Sequence, residues 1–142
     1  MEVSDVRRRI RSAIETARTR RAERRARTDE AVRAYDQFLA ATAVPAFQIV
    51  AGALAGEGHR FNVLTPAGTV RLSPEWTAED FSELALDTDR DRPAVVMRSA
   101  RGRGRRMIAT ERTLREDLPI AELVADDVIA ALIEEAIPFI ER

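Results

Sequence analysis

Phe61-Asn-Val-Leu-Thr65-Pro66-Ala67-Gly68-Thr69-Val-Arg-Leu72 is the stretch on which the fold turns. Two short runs rich in β-branched and large apolar residues, Phe61–Thr65 and Thr69–Leu72, flank a Pro-Ala-Gly break. With Thr65 first, proline second and glycine fourth, the pattern predicts a type I turn closing a β-hairpin. Toward the C-terminus, Ser73 to Asp80 reads as a loop or single helical turn carrying Pro74 and Trp76. Phe81–Asp87 then reads as a third strand, with Ala94–Ala100 and Arg105–Glu111 as a fourth and fifth, joined by Arg101-Gly102-Arg103-Gly104. Connections this short make the neighbours antiparallel. Asp126 and Asp127 open a final helix. Its broad apolar stripe of Val128, Ile129, Leu132, Ile133, Ala136, Ile137 and Ile140 should lie across the sheet. Pro138 lacks an N–H and crowds the Glu134 carbonyl, so that helix is expected to bend or end near Ile137.

Toward the N-terminus, Leu39 to Gly56 is nearly free of charge. A membrane span is not expected there. The run is rich in Ala and Gly, is interrupted by Pro45 and Gln48, and falls short of the ~20 strongly apolar residues that a crossing needs. It reads instead as a buried helix over 42–55, capped by Thr42 and ended by Gly56 and Gly58, with Val44, Phe47, Val50, Ala51 and Leu54 inward. Before it, a long helix is expected from Val3 to about Ala41, with Ser4 or Asp5 as cap. Small and apolar residues recur at Val3, Val6, Ile10, Ala13, Ile14 and Ala17, lapse between Arg18 and Arg27, and resume at Ala31, Val32, Tyr35, Phe38 and Leu39.

The expected fold is therefore α+β in a single domain of residues 1–142, an arginine-rich helical arm (1–41) and a compact body (42–142). The body would hold the second helix, a five-stranded, mostly antiparallel meander and the C-terminal helix on one face. The sheet's other face is either covered by the second helix or left for a partner.

Composition removes several kinds of chemistry. The 142 residues include no cysteine, which excludes disulfides, thiol catalysis and cysteine-based zinc sites. All 23 basic residues are arginine, so Schiff-base chemistry and a P-loop lysine are excluded too. Asp87, Asp89 and Asp91 have the first three spacings of a calcium loop, but its required glycine and glutamate positions hold Arg92 and Arg98. The single histidine, His59, has no nucleophile elbow at Ser73, Ser82 or Ser99 to serve. No cofactor, metal or catalytic residue is expected, and the chain reads as non-enzymatic. The N-terminus lacks an apolar signal-type block, so a cytoplasmic protein is expected.

The charge is divided. Residues 1–33 hold eleven arginines against six acids, a net +5, and the rest of the chain balances at −6. Two clusters could grip an anionic partner. Arg18, Arg21 and Arg25 share one helix face within the run 18–27. Arg101, Arg103, Arg105 and Arg106, with Arg98, crown the hairpin 98–106. The expectation is a protein–protein interaction or assembly protein, homodimeric through its first helix. Nucleic-acid or other polyanion binding through those two clusters is the alternative, weakened by the lack of aromatics for stacking on bases. The apolar patches at both ends of the arm favour pairing, because a second copy would hide them.

Overall fold

The computed structural model describes residues 2–141, and the fold is α+β as the sequence predicts. Helix α1 (Val3–Phe38) passes through a π-helical segment, Leu39–Ala43, straight into α2 (Val44–Gly56). The expected break and cap at Thr42 are not there. The Val44 N–H donates to Leu39 O, five residues back, and this wider register lets the helix run past Pro45, which has no N–H to give. The outcome is one unbroken 54-residue helix, about 80 Å long at 1.5 Å per residue. Neither Ser4 nor Asp5 caps it. Glu2 precedes its first turn, its carbonyl accepting the Asp5 and Val6 N–H groups.

The sheet is a meander in the order β1 (Phe61–Leu64), β2 (Val70–Pro74), β3 (Phe81–Asp87), β4 (Ala94–Arg103) and β5 (Arg106–Thr113), every pair antiparallel. A 3-10 turn, Ile120–Glu122, leads into α3 (Ala125–Ile140). The first hairpin closes differently from expectation. The Thr69 N–H bonds Pro66 O and Gly68 has φ 75°, so the turn starts one residue later and has the type II form that glycine at its third position permits. Pro138 does not end α3, which continues to Ile140.

Alternation along the strands fixes two unlike faces. Val63, Leu72, Val70, Leu84, Leu86, Val95 and Met97 point one way and meet Ala43, Ala46, Phe47 and Val50 of the long helix with Val128, Ala131 and Leu132 of α3. Both α2 and α3 thus lie on the same face, and the second helix does not cover the other. That open face carries a cross-strand row of alternating charge, Arg71, Glu83, Arg98 and Glu111. Arg71 reaches Glu83 at 2.6 Å and Arg98 reaches Glu111 at 3.5 Å.

The end of α1 is fastened to the body by Tyr35 and Phe38, both buried. The Tyr35 hydroxyl donates to Gly68 O at 2.7 Å, just where the first hairpin turns. Burial raises the phenol's pKa above its ordinary value, with the Glu83 and Asp36 carboxylates adding to the shift. The neutral phenol is therefore favoured in the folded state. That contribution is complete below the unfolded value of about 10 and is lost as pH climbs beyond it. Tyr35→Phe is expected to cost about 1 kcal/mol at neutral pH and to remove this alkaline loss. Denaturant titrations at neutral and alkaline pH check both, and tyrosinate absorbance in the wild type reports this one residue, the only tyrosine of the chain.

Candidate functional site

From Val3 to Arg27 every residue of α1 except Asp5 is exposed. The arm does not fold back on its own body, because the continuous helix points it away. Arg18, Arg21 and Arg25 project from one face of this strut, as predicted. None of them meets an acid among the described residues, where the arm's ion pair is Arg8–Asp5 at 3.4 Å. Six arginines within residues 18–27 against the one acid Glu23 concentrate positive charge on that segment.

The second cluster is smaller than the sequence suggests. Strands β4 and β5 turn at Gly104 (φ 64°) and Arg105, which places Arg103 directly opposite Arg106. Arg101 and Arg103 line a cavity of about 250 Å³ with Pro138 and Glu141, so the hairpin tip sits at the C-terminal end of α3. Arg98 does not belong to it. Its side chain is on the open face, in the charge row with Glu111.

The two arginine clusters lie at opposite ends of the helical layer. Helix α3 runs beside α2 in the same direction. Ile120 and Leu123 border the same hollow as Phe38 and Ala41, while Phe139 meets Phe61 edge to face, centroids 6.3 Å apart, past the end of α2. The arm leaves from the first end and the hairpin tip stands at the second. The two arginine clusters of one chain are therefore well separated.

A larger departure concerns apolar residues. The far end of the arm's stripe is used within the chain, since Tyr35 and Phe38 are in the core. Its near end is not. Val3 is 73% exposed and Ile10 54%. On α3, Val128, Leu132, Ala136 and Phe139 are buried, but Ile133, Ile137 and Ile140 of the expected inward stripe face outward, Ile133 at 52%. Ile49 of α2 is exposed at 60%. An 18-residue window of the long helix, with mean hydropathy 1.8, is long and apolar enough to cross a membrane by length and composition, and 28% of it is buried. The signal for these outward residues was present in the sequence. Adjacent apolar pairs in successive turns of α3 (128/129, 132/133, 136/137) make a stripe wider than one sheet can cover.

Two other places carry polar or aromatic groups. Trp76, His59, Arg60, Glu75 and Phe139 line a cleft of about 1030 Å³ that is open to solvent. The acidic loop after β3 is a turn. The Asp87 carboxylate accepts the Asp89 N–H at 3.0 Å and pairs with Arg90 at 3.0 Å, and Arg90 also donates to Thr113 at 2.8 Å. Arg90 thus spans β3 to β5 across the buried Val96. Among the described residues no three His, Asp or Glu side chains are grouped to hold a metal ion.

The Asp89 N–H, followed by Arg90, holds the Asp87 carboxyl below its usual range. Its ionised form is thus favoured by folding, and the benefit is present above the ordinary aspartate value near 3.9 and lost as pH falls through the lower folded value. Asp87→Asn should lower stability at neutral pH and flatten the acid limb of the stability profile, measured by urea unfolding between about pH 2 and 7. No protein-family model, no curated protein and no solved structure matches this chain.

Proposed function

We propose that this is a non-enzymatic interaction or assembly protein that acts as a homodimer held through its N-terminal helix. The observation that carries the reading is the stripe of Val3, Val6, Ile10 and Ile14 on a helix whose first seven turns, residues 3–27, are exposed at every position but Asp5. β-Branched residues recurring on one face of an otherwise charged helix are the mark of a helix that packs on another surface. Hiding each such side chain from water is worth about 1.5–3 kcal/mol when complete, a drive that repulsion among the neighbouring arginines does not cancel. Light scattering is expected to give twice the chain mass, and deletion of residues 1–30 to give a folded monomer. A dimer that survives the deletion would overturn the reading.

A second reading rests on a different observation, the six arginines of residues 18–27, none of which forms an ion pair among the described residues. Such a segment can track phosphates by displacing counterions. If it does, fluorescence anisotropy with a labelled oligonucleotide will show binding that fades steeply with salt. Arg18/Arg21/Arg25→Ala will then reduce the slope of log K against log salt by roughly 2 to 3. Absence of binding at low salt removes the polyanion.

A further inference from the structure

The exposed large apolar residues fall mainly into two patches. One is the arm's stripe. The other is on the body, where α2 and α3 pack against each other and leave Ile133, Ile137 and Ile140 of α3 and Ile49 and Ala53 of α2 exposed. Glycines 52 and 56 keep the α2 wall low, and a Cβ added at either would meet nothing within 4 Å. The two patches have matching form. Val3, Val6, Ile10 and Ala13 step by three, four and three residues, as do Ala130, Ile133, Ile137 and Ile140.

We propose that the first four turns of the arm lie in the groove between α2 and α3 of a second copy, antiparallel to α3, and that the second copy's arm does the same in return. This proposal rests on the homodimer reading above and says where that dimer is held. Antiparallel pairing sets Val3 against Ile140 of the partner subunit, Val6 against the partner's Ile137, Ile10 against the partner's Ile133 and Ala13 against the partner's Ala130.

Three observations select this occupant. The first is charge. Residues 116–141 contain eight acids and no base, whereas the arm is the most basic part of the chain. Some of those acids are already engaged, Glu134 with Arg112 and Asp127 with Arg115. Glu122 and Asp126, beside the start of α3, have no cation partner among the described residues. They are the acids that Arg18, Arg20 and Arg21 would reach. At the groove's other end, Glu2 and Asp5 of the arm would arrive near Arg101 and Arg103 of the partner's hairpin tip, where the positive N-terminal end of one helix also meets the negative C-terminal end of another.

The second is reach. The unbroken helix holds Ile10 about 45 Å from the near end of its own α3, so the arm cannot fill its own groove. The third is closure. Two long helices antiparallel in this way cross near Ala31, a small residue, and each arginine run falls beside the partner's residues 34–43 instead of beside its twin. Arms paired only with each other in parallel would stack the two arginine runs. A parallel arm on α3 could not be reciprocated by a two-fold axis and would leave an open, growing chain.

The chain has no cysteine, which makes the test direct. Ile10→Cys and Ile133→Cys are made in separate full-length proteins, both at exposed positions, then mixed and oxidised, with mass measured by light scattering beforehand. A disulfide-linked dimer in the mixture, and little in either protein alone, is expected. Ile137→Glu should weaken dimerisation by at least about tenfold while leaving the circular dichroism unchanged. A dimer that cross-links through Ile10→Cys alone keeps the homodimer but overturns the groove. A monomeric wild type overturns both, and if that monomer sediments with anionic lipid vesicles the groove belongs to a membrane surface.

Discussion

The structure depends on the continuity of the long helix across Leu39–Ala43. Had the chain broken at Thr42, a flexible joint could have folded the arm onto the body, and the opposite charges of the two would have neutralised each other within one molecule. The π-helical register prevents that. It absorbs the missing proline N–H without a turn, so the direction of α2, fixed by Phe47 and Val50 in the core, dictates the direction of the arm. Tyr35 and Phe38 fasten the same rod on the other side of the join. The packing of a few side chains in the C-terminal half of the helix therefore decides where its far end stands.

Legibility followed the strength of local rules. The strands were readable because alternation, proline and glycine act within a few residues, and Phe61–Leu64 and Phe81–Asp87 fall close to where the pattern put them. Proline and glycine in Thr65–Thr69 fit two adjacent turn frames, and the sheet's hydrogen bonding chooses the later one. The continuity of the helix is hidden in the sequence for a related reason. Thr42 and Pro45 are good start signals, but a π turn satisfies the same proline without stopping the helix. Arg98 was grouped by sequence proximity with Arg101 and Arg103, whereas cross-strand pairing with Glu83 and Glu111 decides its place. The outward isoleucines of α3 were assigned to the core because a hydrophobic pattern shows that residues avoid water, not which surface will receive them.

The same logic explains how the sheet's two faces differ. One is filled by helices and has no charged ladder. The other keeps Arg71, Glu83, Arg98 and Glu111 in a row that alternates in sign across four strands, with the Arg71 guanidinium 4.0 Å from the centre of the Phe81 ring. Opposite charges on neighbouring strands satisfy one another while remaining wet, which costs little and fixes register. Any strand slipping by one residue would drive an arginine or glutamate into the core. Outside the arm, exposed apolar residues occur on both sides of the body, Ile49, Ile133, Ile137 and Ile140 on the helices and Leu64 and Met107 on the open face.

The arginine run between residues 18 and 27 also sets an angle and a length. Because the helix is rigid, each residue between the stripe and the body adds about 1.5 Å and about 100° of rotation. Its individual arginines can be exchanged for other good helix formers with little effect on where the stripe points. Removing a single residue would swing Val3, Val6 and Ile10 more than a quarter turn away from their present direction. Removing seven would restore the direction nearly in full, two turns nearer the body. The segment is thus constrained in residue number, by the phase of a helix, more tightly than it is constrained in residue type.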